Sequence, residues 1–356
     1  MELSTLIVLF LAAITVLFYM VIQDRKKAEK KPKLPKFPKE TSEKPTDSTD
    51  DSTDESTDNT ASDSADDVTK SGSNLSNRLG YDAQFLAAKS AKIDLNELLK
   101  NHTAQLTPLL KAEGSNKHIL NYHHFSVAMN RDRKMPLLTA VNIDGKQTRA
   151  VGKDTGKWRY DPRMAKTEQL GKEVYSENDL DLGHLVRRLD PVWGKDALLA
   201  NDDTFHFTVC APQHLKLNRV TWKSLEDYIL KNTQAEDLKV SVFTGPVFSE
   251  NDVAYRKILL PLQFWKMAAV VKNDGNLSVT AYLLSHKEYL DDVLNRGFIG
   301  DTGFEEYKTY QIPLRRLKEL TNLNLDNFFQ FDPLHHRGLL AGPEFVEIGE
   351  AEDVHL

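Results

Sequence analysis

Residues 181–226 read DLGHLVRRLDPVWGKDALLANDDTFHFTVCAPQHLKLNRVTWKSLE. His184 closes a short strand-like stretch behind Gly183. The run TFHFTVCA (204–211), rich in β-branched and aromatic residues, predicts a second strand. A polar loop carrying Asn218 then enters RVTWKSLEDYILK (219–231), where Val220, Leu225, Tyr228 and Ile229 gather near one side of a helix. The order is strand, loop, strand, helix, with a histidine on the first strand and an amide at the helix entrance.

The chemistry of such an arrangement follows from its groups. A neutral imidazole near pH 7 can take a proton from water. An Asn side-chain oxygen is a hard ligand that suits Mg²⁺, an ion that keeps most of its waters. A cation beside a phosphodiester offsets the charge that builds on the leaving oxygen. Glu226 lies eight residues after Asn218, which on a helix is about 12 Å along the axis and about 80° around it. That separation suits an outer-sphere role for Glu226, holding a metal-bound water. On the residues alone, Asn218 serves equally as a helix N-cap, since capping and metal ligation draw on the same oxygen. A solvated helix acid is the alternative for Glu226, and Cys210 reads as a buried structural thiol.

Further strand-like runs surround this segment: HHFSVAMN (123–130), PLLTAVNID (136–144), KVSVFTGPVF (239–248) and LSVTAYLLS (277–285). Short helices are expected around Phe85, Leu86, Ile93, Leu95, Leu98 and Leu99, and another over residues 314–320. Strands and helices in this mixture indicate an α+β domain with one main sheet system.

The constellation resembles that of the DNA/RNA non-specific endonuclease family, the ββα-metal (His-Me finger) nucleases that include endonuclease G. The family's first motif reads Asp-Arg-Gly-His; here it is Asp181-Leu182-Gly183-His184. The second reads Asn-Gln, a few residues, Trp, then Leu-Glu; here it runs from Asn218-Arg219 through Trp222 to Leu225-Glu226. Similarity to the bacterial branch continues in HFSVAMNRDRKMPLLTAVNIDG (124–145), KWRYDPRM (157–164), HFTVCAPQ (206–213), VFTGPVF (242–248), FWKMAAV (264–270) and TAYLLS (280–285), so it covers about residues 79–330.

The resemblance implies an α+β fold: a ββα-metal finger nuclease domain with a central mixed or antiparallel sheet and flanking helices. It implies a sugar-non-specific endonuclease that hydrolyses DNA and RNA and leaves a 5′-phosphate and a 3′-hydroxyl. His184 would be the general base and Asn218 the direct ligand of one Mg²⁺, with Mn²⁺ as a substitute. Glu226 would orient a metal-bound water, and Asp181 would help hold the strand end. Several motif positions depart from the family. Leu182 replaces the arginine, Arg219 the usual Gln, and Gly156 stands where an arginine often precedes the tryptophan of KWRYDP. Leu230 stands where some members carry an arginine one turn after the motif glutamate. Arg188, expected among the catalytic group, and Arg187, Arg219, Arg159 and Lys157 are the candidates to meet phosphate in their place. The alternative functions are a nucleic-acid-binding or assembly module weakened by Leu182, or a phosphodiesterase on small nucleotides.

Outside this domain the charge is partitioned. The chain has 356 residues and a formal net charge of −6. Glu2 carries −1, residues 24–39 a net +6 and residues 40–69 a net −10, leaving −1 for residues 70–356. A nearly neutral bulk excludes a histone-like polycation, and any phosphate must be held by local patches. A single cysteine excludes an internal disulfide framework and a multi-cysteine zinc site. Residues 3–23, LSTLIVLFLAAITVLFYMVIQ, carry no formal charge and at about 1.5 Å per residue span a hydrocarbon core of about 30 Å. The expected organisation is therefore a transmembrane anchor (1–23), a basic juxtamembrane segment (24–39), a disordered Ser/Thr/Asp-rich linker (40–77), the nuclease domain (78–345) and an acidic tail (346–356). The cations after the span place the domain in the cytoplasm by the positive-inside rule, with an extracytoplasmic domain on a Ser/Thr/Asp stalk as the alternative. The expected partners are DNA and RNA, the membrane through the N-terminal helix, a homodimer, and an inhibitor protein that restrains a cytoplasmic nuclease.

Overall fold

The structure, a computed structural model, describes residues 75–86, 92–111, 117–152, 157–214, 226, 229–230, 233, 237–272, 274–285, 309–335 and 346–348. The expected anchor, the basic segment and the linker as far as residue 74 lie outside the described residues. Among the described residues no helix is long and apolar enough to cross a membrane.

The described strands, in chain order, are β1 (Ile119–Asn121), β2 (Phe125–Asn130), β3 (Met135–Asp144), β4 (Leu180–His184), β5 (Cys210–His214), β6 (Lys239–Val247), β7 (Val253–Tyr255), β8 (Ile258–Leu260), β9 (Gln263–Val271), β10 (Leu277–Ser285), β11 (Thr309–Ile312) and β12 (Val346–Ile348). The described α-helices are α1 (Leu95–Leu98), α2 (Ala197–Asp203) and α3 (Leu314–Thr321). Eight strands form one sheet in the order β1-β2-β3-β6-β9-β10-β11-β12. Every described pairing in it is antiparallel. Strands β4 and β5 form a separate antiparallel ribbon, and β7 and β8 a small hairpin.

β3 is buried along its whole length because both faces of the sheet are covered. On one face Leu138 and Ala140 meet Phe243, Trp265 and Met267, with Leu95 and Leu98 of α1 and Leu314 and Leu317 of α3 packed on top. On the other face Val141 and Ile143 meet Val240 and Val242, together with Val186, Val209 and Leu230. Leu185 and Ala211 close the same face over Phe264, Tyr282 and Leu284. The β4–β5 ribbon is thereby pressed onto the second face by apolar burial, at about 1.5–3 kcal/mol per enclosed aliphatic side chain. α1 is capped by Asp94, whose Oδ1 accepts from Asn96 N at 2.9 Å. α3 ends at Asn322, whose left-handed backbone (φ 55°) stops the helix.

The expected strands over 123–130, 136–144, 239–248 and 277–285 are β2, β3, β6 and β10, and the expected helix over 314–320 is α3. The expected strand over 204–211 is a correction. Phe207–Val209 form a 3-10 turn, and β5 begins at Cys210. Here β-branched and aromatic residues report burial instead of pleat. Thr204, Phe205, His206, Phe207, Thr208 and Val209 are all buried. Their backbone also serves other partners: Arg159 N donates to Phe205 O at 3.0 Å and Phe207 N to Arg159 O at 2.9 Å. β9, a central strand, was not among the expected runs, because Lys266, Ala268 and Ala269 dilute its β-branched character. β12 lies within the segment expected as an acidic tail.

Candidate active site

β4 delivers His184 to the end of the ribbon, opposite Cys210 of β5. At Gly183 a Cβ would land 2.2 Å from Gln213 Oε1, so a larger residue there would have to displace the buried Gln213 side chain. The chain then turns back into the core. Leu185 N donates to Val209 O at 2.9 Å, and Thr139 Oγ1 of β3 donates to Leu185 O at 3.3 Å. The residue after the histidine is therefore stitched to the central sheet, which fixes the height of the imidazole above it.

The His184 ring sits 4.9 Å from the Trp158 ring and 5.7 Å from Phe205, edge-on to the latter at 87°. Burial, reinforced by the Arg188 guanidinium, pushes its pKa down to about 4, against the pull of a hydrogen bond to the Thr204 backbone. Its Nε2 is buried and has no hydrogen-bond partner among the described residues. The Thr204 bond thus belongs to Nδ1, which carries the proton. Nε2 is left with a free lone pair at neutral pH, the tautomer a general base requires.

The basic candidates divide by what they touch. Arg159 is committed: it donates to Asp202 Oδ2 at 2.7 Å, Asp202 Oδ1 at 3.1 Å and His206 Nε2 at 3.1 Å. Arg187 Nε lies 3.9 Å from Glu226 Oε2, and its Nη1 lies 4.0 Å from Asp190 Oδ1. Arg188 instead donates to neutral acceptors, Asn201 Oδ1 at 2.8 Å and Gly152 O at 3.3 Å. Its pKa is lowered by burial and by Arg187. Of these three arginines, Arg188 has no carboxylate partner among the described residues.

Glu226 is reached by Lys266 Nζ, 3.4 Å from Oε1, as well as by Arg187. Its backbone is helical, as are those of Ile229, Leu230 and Thr233, in keeping with the expected helix. Asp181 pairs across the ribbon with Gln213. It stands three residues from His184, so strand alternation sets it on the opposite face. Any hold it has on the strand end acts from behind the imidazole. Asn218 and Arg219 lie outside the described residues. Among the described residues no three His, Cys, Asp or Glu side chains converge to hold a metal ion. Cys210 is buried, its thiol pushed up to about 12 by desolvation, in line with a structural role.

Sequence reasoning passed over Lys266 and Trp158 as site residues. A lone lysine inside FWKMAAV (264–270) was the available signal, because a cation in an apolar strand needs a partner.

A family model described as DNA/RNA non-specific endonuclease matches residues 105–330. The uncharacterized protein y4fB of Sinorhizobium fredii (strain NBRC 101917 / NGR234) is 38% identical over 268 residues, 72% of this chain and 40% of that protein. The chain thus spans about 40% of the length of this curated relative. A solved structure, "Crystal structure of the EndoG/EndoGI complex: Mechanism of EndoG inhibition", aligns with a TM-score of 0.46 and 17% identity, covering 58% of this chain and 84% of that one.

Proposed function

We propose that this chain, which belongs to the DNA/RNA non-specific endonuclease family and so to the hydrolases of phosphodiester bonds, cleaves DNA and RNA with His184 as its general base. The observation that carries the assignment of the base is the free, buried Nε2 of His184 beside the guanidinium of Arg188.

A water on the Nε2 side loses its proton to His184 as its oxygen bonds to phosphorus. The P–O3′ bond breaks and the departing O3′ takes a proton from solvent water, giving a 5′-phosphate and a 3′-hydroxyl. Because the nucleophile is external, a ribose 2′-hydroxyl is not needed, which accounts for action on both sugars. Arg188 takes the non-bridging phosphate oxygens and assumes the work of the motif arginine that Leu182 lacks. Contacts to phosphate instead of base edges leave sequence preference weak.

The family is metal-dependent, and the donors here fit a hydrated Mg²⁺, with Mn²⁺ as a substitute. The Glu226 carboxylate is a hard oxygen donor, and the Asn218 amide oxygen is another. When bound, the ion supplies positive charge beside the scissile phosphate.

The chain is further proposed to be tethered by residues 3–23 with its domain in the cytoplasm, supported by the net +6 of residues 24–39. An inhibitor protein or self-assembly would restrain it there.

Incubating the full chain with supercoiled plasmid and structured RNA tests the activity. Cleavage in Mg²⁺ should disappear with EDTA and fall at least a hundredfold in His184→Ala, in line with the usual weight of a general base. Leu182, uncharged and partly exposed on β4, favours a second reading, a nucleic-acid-binding module without turnover. Binding with no cleavage, unchanged by His184→Ala, would establish that reading instead.

A further inference from the structure

Both carboxylate oxygens of Glu226 have a cation nearby, and one of those cations comes from the middle of the sheet. Lys266 lies on β9, between β6 and β10, and is 1% exposed. Its Nζ donates to Thr244 Oγ1 at 3.0 Å and stands 3.4 Å from Glu226 Oε1. The strand register sets Thr244, Lys266 and Tyr282 in one cross-strand row. Tyr282 packs with Leu185 and Ala211, so the row lies on the face that receives the ribbon.

Taking an ammonium out of water costs several kcal/mol unless it is paired in good geometry. A strand that needed only packing at this position would be better served by Met or Leu. Arg187, three residues after His184, lies with its Nε 3.9 Å from the other carboxylate oxygen, Glu226 Oε2. One turn further along the helix Leu230 is 5% exposed and buried among Val186 and Val242.

We infer that Lys266 is a positioning residue for Glu226, pinning the carboxylate to the rigid centre of the sheet at a set distance from β4. Arg187 adds a second contact to the same residue, its Nη1 donating to Glu226 O at 3.5 Å. The inference rests on the proposed role of Glu226 toward the divalent ion, and Lys266 acts on that ion only through Glu226.

The test is Mn²⁺ binding, followed by the free-ion electron spin resonance signal, in the full chain carrying His184→Ala so that no turnover is read. Lys266→Met should weaken Mn²⁺ binding about tenfold, the usual weight of an outer-shell partner. Lys266→Arg, which keeps a buried cation, should stay within about threefold of the parent. Glu226→Gln should lose at least as much as Lys266→Met. With His184 restored, Lys266→Met should raise the Mg²⁺ needed for half-maximal rate about tenfold and move the KM for DNA less than about twofold.

Parental binding in Lys266→Met beside weakened binding in Glu226→Gln would overturn the positioning role and leave the reading of Glu226 standing. Parental binding in Glu226→Gln would overturn both. Should Lys266→Met not fold, Thr244→Val carries the question, since it frees Nζ while keeping the charge. A loss of about threefold, one hydrogen bond's net contribution, supports the inference, and unchanged binding overturns it.

Discussion

The acid side of the pH–rate profile should report the unusual state of His184. Its pKa is about 4 because burial and Arg188 both disfavour the imidazolium. An ordinary histidine, at about 6.5, is only about 3% neutral at pH 5, whereas a group at about 4 is about 90% neutral there. A free-enzyme base in that state therefore retains about thirty times more of its active form at pH 5 than an unperturbed one. The assay is kcat/KM on a short fluorogenic oligonucleotide at saturating Mg²⁺ between pH 4 and 8, because kcat/KM reports groups of the free enzyme. The acid limb should bend near pH 4, and in Arg188→Gln it should move upward as the repulsion is removed. Stability carries the same signature. The folded pKa lies below the unfolded one, so the unfolded chain binds the extra proton between about pH 6.5 and 4, and stability falls as pH falls through that window. The contribution lost is about 3 kcal/mol. His184→Phe should remove that part of the pH dependence in thermal melts. An acid limb bending at pH 6.5 or above, with melts of the parent and His184→Phe parallel over the window, would refute the assignment of a buried neutral base.

Three further outcomes follow from the geometry. Gly183→Ala forces a Cβ onto Gln213 and should destabilise the chain by about 1–3 kcal/mol in urea unfolding; a change below 0.5 kcal/mol would show that the ribbon has room to yield. Arg188→Gln should raise the KM for DNA about tenfold and flatten its salt dependence by about one phosphate contact; an unaltered salt slope would deny it a phosphate. Asp203, whose carboxyl is held below the usual carboxylate range by His123 and Arg78, fixes Arg78 at 3.1 Å and His123 at 2.8 Å from α2. Asp203→Ala should cost about 3–5 kcal/mol by leaving the buried Arg78 guanidinium uncompensated, and a melting temperature within two degrees of the parent would contradict that.

Local pattern and local chemistry were both readable along the chain. Alternation and β-branching marked β2, β3, β6 and β10 because their side chains fill two cores whatever their neighbours are. The spacing of Asp181, Gly183 and His184 marked a strand end, and the close approach of Gln213 explains why glycine stands between the other two. The pattern misled at 204–209, where burial on all sides mimics a strand, and it hid β9, whose lysine looked out of place in an apolar run.

The sequence by itself carried the likeness to the DNA/RNA non-specific endonuclease family, through the motif positions Asp181 to His184 and Asn218 to Glu226. Tertiary structure decided which charges are available at the site. Arg159 is spent on Asp202, Arg187 and Lys266 on Glu226, and Arg188 keeps its charge. Coulomb energy depends on distance and burial, and chain spacing encodes neither for residues about forty positions apart.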